Sequence, residues 1–128
     1  MNIKPALRVV LAVAMMAVGV THFVDPAPFV KIVPAALPEP LALVYVSGFF
    51  EILGGAGLLV PRARRAAAWG LVALYVAVFP ANLNMALHHI SFDDAHPIPT
   101  VALWARLPLQ ALLIALAYWM SRAEPPAP

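Results

Sequence analysis

Of 128 residues, 63% are hydrophobic and 11% charged, against roughly 45–50% and about 25% in a soluble domain. This excludes an ordinary soluble globular protein, and it excludes a disordered chain despite 14 prolines, because disorder needs low hydrophobicity and high net charge. The absence of cysteine removes disulfides, thiolate nucleophiles, iron–sulfur clusters and cysteine zinc sites. A net charge of +2, carried by few basic residues spread between apolar segments, reads as a topology signal and not as nucleic-acid affinity.

A spanning helix needs about 20 mostly apolar residues, and segments 5–24, 41–60, 66–88 and 100–121 meet that requirement. The expected fold is all-α, a polytopic membrane four-helix bundle forming a single transmembrane domain over residues 1–128. The first span also has the build of a signal peptide, with Lys4 and Arg8 as its basic region and Ala17-Val18-Gly19 as a small-x-small site, but its apolar run continues through Val24 and three more spans follow. The connection 25–40, DPAPFVKIVPAALPEP, is apolar for a loop, with Phe29, Val30, Ile32 and Val33 interrupted by Pro28 and Pro34. It reads as a short interfacial or re-entrant segment over the mouth of the bundle, with a plain surface loop as the alternative.

Lys4, Arg8, Arg62, Arg64, Arg65 and Arg122 flank one end of the spans, whereas the loops 25–40 and 89–99 carry only Lys31. The positive-inside rule then places both termini in the cytoplasm, and the lipid bilayer, expected to be a bacterial inner membrane, is the first partner.

Glu51 and Arg106 are full charges inside apolar spans, each costing about 2.5–3.5 kcal/mol near the bilayer centre. Counting from the outer ends of their spans puts Glu51 about 15 Å deep and Arg106 about 9 Å deep, so a buried ion pair between the second and fourth spans is expected. His22, Asn82 and Gln110 fall in the same half of the bundle, and Ser47 shares a face with Glu51 as Gln110 does with Arg106. Pro80 and Pro108 free the carbonyls of Val76 and Trp104 beside this cluster. Polar residues from all four spans at one level point to a ligand or proton site. The other explanation is hydrogen-bonded glue between helices, at about 0.6 kcal/mol per bond. Trp104, an interface anchor by position, joins the expected ligand contacts. Gly48, Gly54, Gly55 and Gly57 in the second span are expected to serve close helix packing. The loop residues His88, His89, Asp93, Asp94 and His96 suit zinc or copper by type but match no metal-site spacing, and His22 with His88 or His89 is a conceivable haem pair. Neither metal nor haem is expected.

Gly19-Val20-Thr21-His22-Phe23, KIVPAALP at 31–38, SGFFEILGGAGLLVP at 47–61, FPANLNMA at 79–86 and WARLPLQ at 104–110 together resemble the DoxX family of small four-helix membrane proteins over nearly the whole chain. Relatives of that family include membrane subunits associated with thiosulfate:quinone oxidoreductase and with terminal oxidases, so the resemblance implies a redox-associated subunit with a quinone and an oxidoreductase subunit as partners. On that reading Arg106, Asn82 and Gln110 donate to ring carbonyls while Glu51 or His22 exchanges protons. The chain departs from any thiol-relay version of the role, having no cysteine. A non-catalytic membrane scaffold, and a binder or carrier of a lipid or other amphipathic molecule, are the alternative functions. A homo-oligomer suits so small a chain.

Overall fold

A computed structural model describes residues 2–124 as five helices in chain order, with no strand among the described residues. They are α1 (Lys4–Val24), α2 (Ala27–Ile32), α3 (Pro40–Leu58), α4 (Arg64–Leu87) and α5 (Thr100–Ser121). Four of them, all but α2, are long and apolar enough to cross a membrane, and their ends fall within two residues of the expected spans.

Proline sets most of the helix starts. Pro5, Pro28 and Pro40 sit in the first two positions of α1, α2 and α3, where a missing N–H costs nothing, and Pro99 immediately precedes α5. The residue ahead of a proline avoids the helical region, and Asp25 before Pro26 ends α1 in this way at φ −143°. His89, at φ 48°, turns the chain out of α4. Pro80 and Pro108 lie inside α4 and α5, and both helices run through them.

The long helices pack in sequence order, α1 on α3, α3 on α4 and α4 on α5. The first of these contacts is made by small residues. A Cβ on Gly19 would lie 2.7 Å from the Gly48 carbonyl oxygen, and one on Gly55 would lie 2.7 Å from that of Ala12. The backbones of α1 and α3 therefore touch directly, as expected for Gly48 and Gly55. Gly54 and Gly57 instead admit side chains of α4, Leu71 and Ala67, against the α3 backbone.

The core at mid-bundle joins Leu11, Ala12 and Met15 to Leu58, Leu71, Tyr75, Ala117 and Met120. The Tyr75 hydroxyl donates to Met15 Sδ at 2.7 Å, which satisfies a phenol in an otherwise apolar setting. A smaller cluster of Ile32, Met85, Ala86 and Leu103 lies at the end where α2 sits. Between 17 and 33% of each spanning window is buried inside the bundle, so most of each helix turns apolar residues such as Val10, Leu53, Val76 and Leu112 outward. A monomer with that much apolar surface needs an apolar surround.

Candidate functional site

The segment 25–40 forms a helix over one end of the bundle, the α2 end. Three ties hold α2 there. Asn84 Nδ2 donates to the Ile32 carbonyl at 3.0 Å, and Lys31 Nζ donates to the Ser91 carbonyl at 2.7 Å and to Asp94 Oδ1 at 2.9 Å. Ile32 itself is buried in the smaller cluster.

Beneath α2 lies a cavity of about 410 Å³, within the roughly 300–1,000 Å³ range of small-molecule sites. Its lining is mostly apolar, but His22, Ser47, Glu51, Asn82 and Arg106 contribute polar groups. Leu43, Val46 and Phe50 both line the cavity and stand exposed on the flank of α3, so the cavity opens sideways between α3 and α4.

The close approach of Gly48 determines one wall. A Cβ there would lie 2.6 Å from the Cβ of His22, so only glycine lets His22 settle against α3. His22 Nδ1 donates to the Val18 carbonyl at 2.8 Å and stands 3.5 Å from Glu51 Oε2. Both side chains are buried, and Glu51 Oε2 has no hydrogen-bond partner among the described residues. On the opposite wall, Arg106 Nη2 donates to Asn82 Oδ1 at 3.2 Å, Asn82 Nδ2 donates to Gln110 Oε1, and Gln110 Nε2 donates to the Tyr75 carbonyl. That carbonyl belongs to the turn preceding Pro80, where the proline thins the helix's own hydrogen bonds. Aromatic rings join the walls overhead. Phe29 of α2 stacks on His22 with ring centroids 4.0 Å apart, Phe92 packs against Phe29 at 5.4 Å, and the Arg106 guanidinium lies 5.5 Å from the Phe92 ring.

The structure brings His22, Glu51, Asn82 and Arg106 to one cavity, with two corrections. No ion pair joins Glu51 to Arg106. Depth along the spans is similar, but α4 stands between α3 and α5, so Arg106 meets Asn82 on α4 while Glu51 meets His22 on α1. Trp104, expected among the ligand contacts, is absent from the cavity lining and 43% exposed on the outer face of α5. Gln110 also lies behind the wall, buried, with its amide committed to Asn82 and Tyr75. Phe92 is the residue sequence reasoning missed. Its one signal was an aromatic ring set alone in the polar run HHISFDDAH.

That run does not converge on a metal-binding group among the described residues. His96 Nδ1 bonds Asp93 Oδ2 at 2.8 Å, Asp94 binds Lys31, and His88 bonds the Asn84 carbonyl. The His96 hydrogen bond, followed by the Ala95 amide, holds the Asp93 carboxyl below the usual carboxylate range.

These features define a class: an apolar four-helix bundle with a capped, laterally open cavity that holds opposite charges on separate walls. Over residues 11–121 the chain matches the family described as a domain of unknown function (DUF8561), and it belongs to that family. No curated protein and no solved structure matches it.

Proposed function

We propose that the protein is a membrane subunit of DoxX type, associated with redox chemistry, and that its cavity binds a quinone-like headgroup or an amphipathic molecule with the same hydrogen-bonding pattern. One observation carries the reading: Glu51 and Arg106 line a single, largely apolar cavity without pairing to each other. Separated opposite charges in an apolar space are costly, and a flat ring with oxygens at opposite edges answers both when its oxygen at one edge accepts from Arg106 and its hydroxyl, in the hydroquinone form, donates to Glu51 at the other. The sideways opening suits a molecule with an apolar tail that arrives through lipid. The basic residues gather at the other end, which supports a reading with the α2 end away from the cytoplasm of a bacterial inner membrane.

In this reading Arg106 donates to one edge of the headgroup, and Asn82, steadied by Gln110, fixes the guanidinium in place. Glu51, with His22 beside it, holds or passes a proton at the other edge. Phe29 and Phe92 exclude water above. A bound quinone supplies two-electron, two-proton chemistry, and the electrons are exchanged with a partner oxidoreductase subunit, since this chain has no cysteine to relay them.

The test is purification in mild detergent, extraction with organic solvent, and mass spectrometry with an ultraviolet–visible spectrum. A near-stoichiometric quinone is expected in the wild type and should be lost in Arg106→Ala, while Glu51→Gln should keep the quinone and lose proton-coupled turnover. A specific lipid in its place would make the protein a carrier. An empty, stable preparation would make it a scaffold.

A further inference from the structure

The end opposite α2, where α1 begins and α5 ends, carries six basic residues, Lys4, Arg8, Arg62, Arg64, Arg65 and Arg122, and one acid, Glu124. Basic residues at span ends ordinarily extend toward headgroups, but here Lys4 and Arg8 are 3% and 5% exposed. Most of the ties at this end go to neutral acceptors. Lys4 Nζ donates to the Arg122 carbonyl at 2.9 Å, Arg64 Nε donates to the Leu58 carbonyl at 2.9 Å, and Arg122 Nη1 donates to the Tyr118 hydroxyl at 3.2 Å. The first two satisfy carbonyls at the ends of α5 and α3, a standard use of a cation.

Arg8 differs. Its charge partner among the described residues is the Glu124 carboxylate, which meets Nη2, while its Nε makes no hydrogen bond. A guanidinium has five donors in a planar fork, and a carboxylate that meets it at Nη2 alone leaves the buried Nε without an acceptor. Glu124 lies three residues beyond α5, and its side chain is one-third exposed while that of Arg8 is 6% exposed. Moving Glu124 aside therefore opens Arg8 to the surface without disturbing a spanning helix.

We propose that Arg8, with Lys4 and Arg64 around it, binds the phosphate of an anionic phospholipid, and that Glu124 is the internal anion this headgroup displaces. Phosphate offers more acceptor oxygens than the carboxylate and matches the guanidinium fork. A lipid source is favoured over a free anion because Arg8 sits one turn inside the start of α1, at headgroup depth once the bundle is embedded. The proposal rests on the membrane reading above but not on any ligand in the cavity.

The full-length protein in detergent is titrated with phosphatidylglycerol, phosphatidylcholine or inorganic phosphate, and bound molecules are counted by native mass spectrometry. Phosphatidylglycerol should bind in preference to phosphatidylcholine. Glu124→Gln should tighten it about fivefold, the equivalent of one unit charge at an anionic surface, and Arg8→Gln should abolish the preference. Equal binding of the two lipids in both wild type and Glu124→Gln overturns the proposal. So does inorganic phosphate binding to Glu124→Gln as tightly as phosphatidylglycerol. Glu124→Gln decides the matter even if Arg8→Gln fails to fold. A chain released from membranes by alkaline carbonate overturns the membrane reading instead, and a chain that is retained but shows no lipid preference overturns this one alone.

Discussion

The two ends of the bundle treat buried charge in opposite ways. At the terminal end the two buried cations are answered by direct contact, Lys4 by the helix-end carbonyl of Arg122 and Arg8 by Glu124. At the α2 end Glu51 and Arg106 are held on separate walls by different neighbours, with about 410 Å³ between them. The first arrangement is a finished structure that a competing anion can reopen. The second is a space lined by polar groups that are not all satisfied, since Glu51 Oε2 and Arg106 Nε make no hydrogen bond among the described residues, and the proposed binding function rests on that difference. A buried charge by itself therefore says little about function. What matters is whether its nearest opposite charge lies in contact with it or across a cavity.

The contrast breaks most completely at Gly48. A valine there has no room beside the His22 Cβ, so Gly48→Val should cost about 1–3 kcal/mol as overpacking and separate His22 from Glu51. Thermal unfolding in detergent should show the loss, and ligand extracted from the α2 end should fall with it. Gly70 is the control. Nothing lies within 4 Å of its would-be Cβ, so Gly70→Ala should be neutral or stabilising by up to about 1 kcal/mol. Equal losses at the two positions would remove the claim that the glycine contact builds the wall.

A smaller effect is expected at Phe29, which touches His22 and Phe92 but carries no charge. Phe29→Ala removes stacking worth roughly 0.5–1.5 kcal/mol beyond area. It should speed ligand dissociation several-fold while leaving the anion preference of the terminal end unchanged. A change at both ends would show that the two regions are coupled.

The smallest effect concerns the loop that anchors α2. The folded state holds Asp93 below the usual carboxylate range through His96. A depressed carboxylate contributes above its ordinary pKa and loses that contribution as pH falls through the lower folded value. Amide protection over residues 89–99, taken relative to the intrinsic exchange rate at each pH, should therefore fall on acidification through that window, and Asp93→Asn should show the low protection on both sides of it.

The helices were legible because hydropathy and proline placement are local properties, and the spans needed no tertiary information. Part of the cavity's polar lining was legible too, since depth along a span is counted from its ends, and that count grouped His22, Glu51, Asn82 and Arg106 together with Gln110, which lies behind the wall. Azimuth was not legible. Whether Arg106 faces α3 or α4 depends on the packing order, in which α5 lies against α4, and no single span reveals that order. The same gap explains Trp104, whose rank along α5 was right and whose side was wrong for a ligand contact. At the terminal end the basic residues were readable as a topology signal, but the burial of Lys4 and Arg8 depends on how the four long helices close together.

The sideways opening between α3 and α4 has a consequence for affinity. Lys31 ties α2 to the loop above it and Asn84 ties it to α4, so in a membrane the proposed site would exchange its contents with the hydrocarbon phase through the gap between α3 and α4. The concentration that matters is then the mole fraction of ligand in the membrane. Each added methylene enriches an amphiphile there by about 0.8 kcal/mol without making any protein contact. A long-tailed ligand can therefore saturate the site while its headgroup binds weakly, and short-chain analogues tested in water will understate the occupancy reached in a membrane.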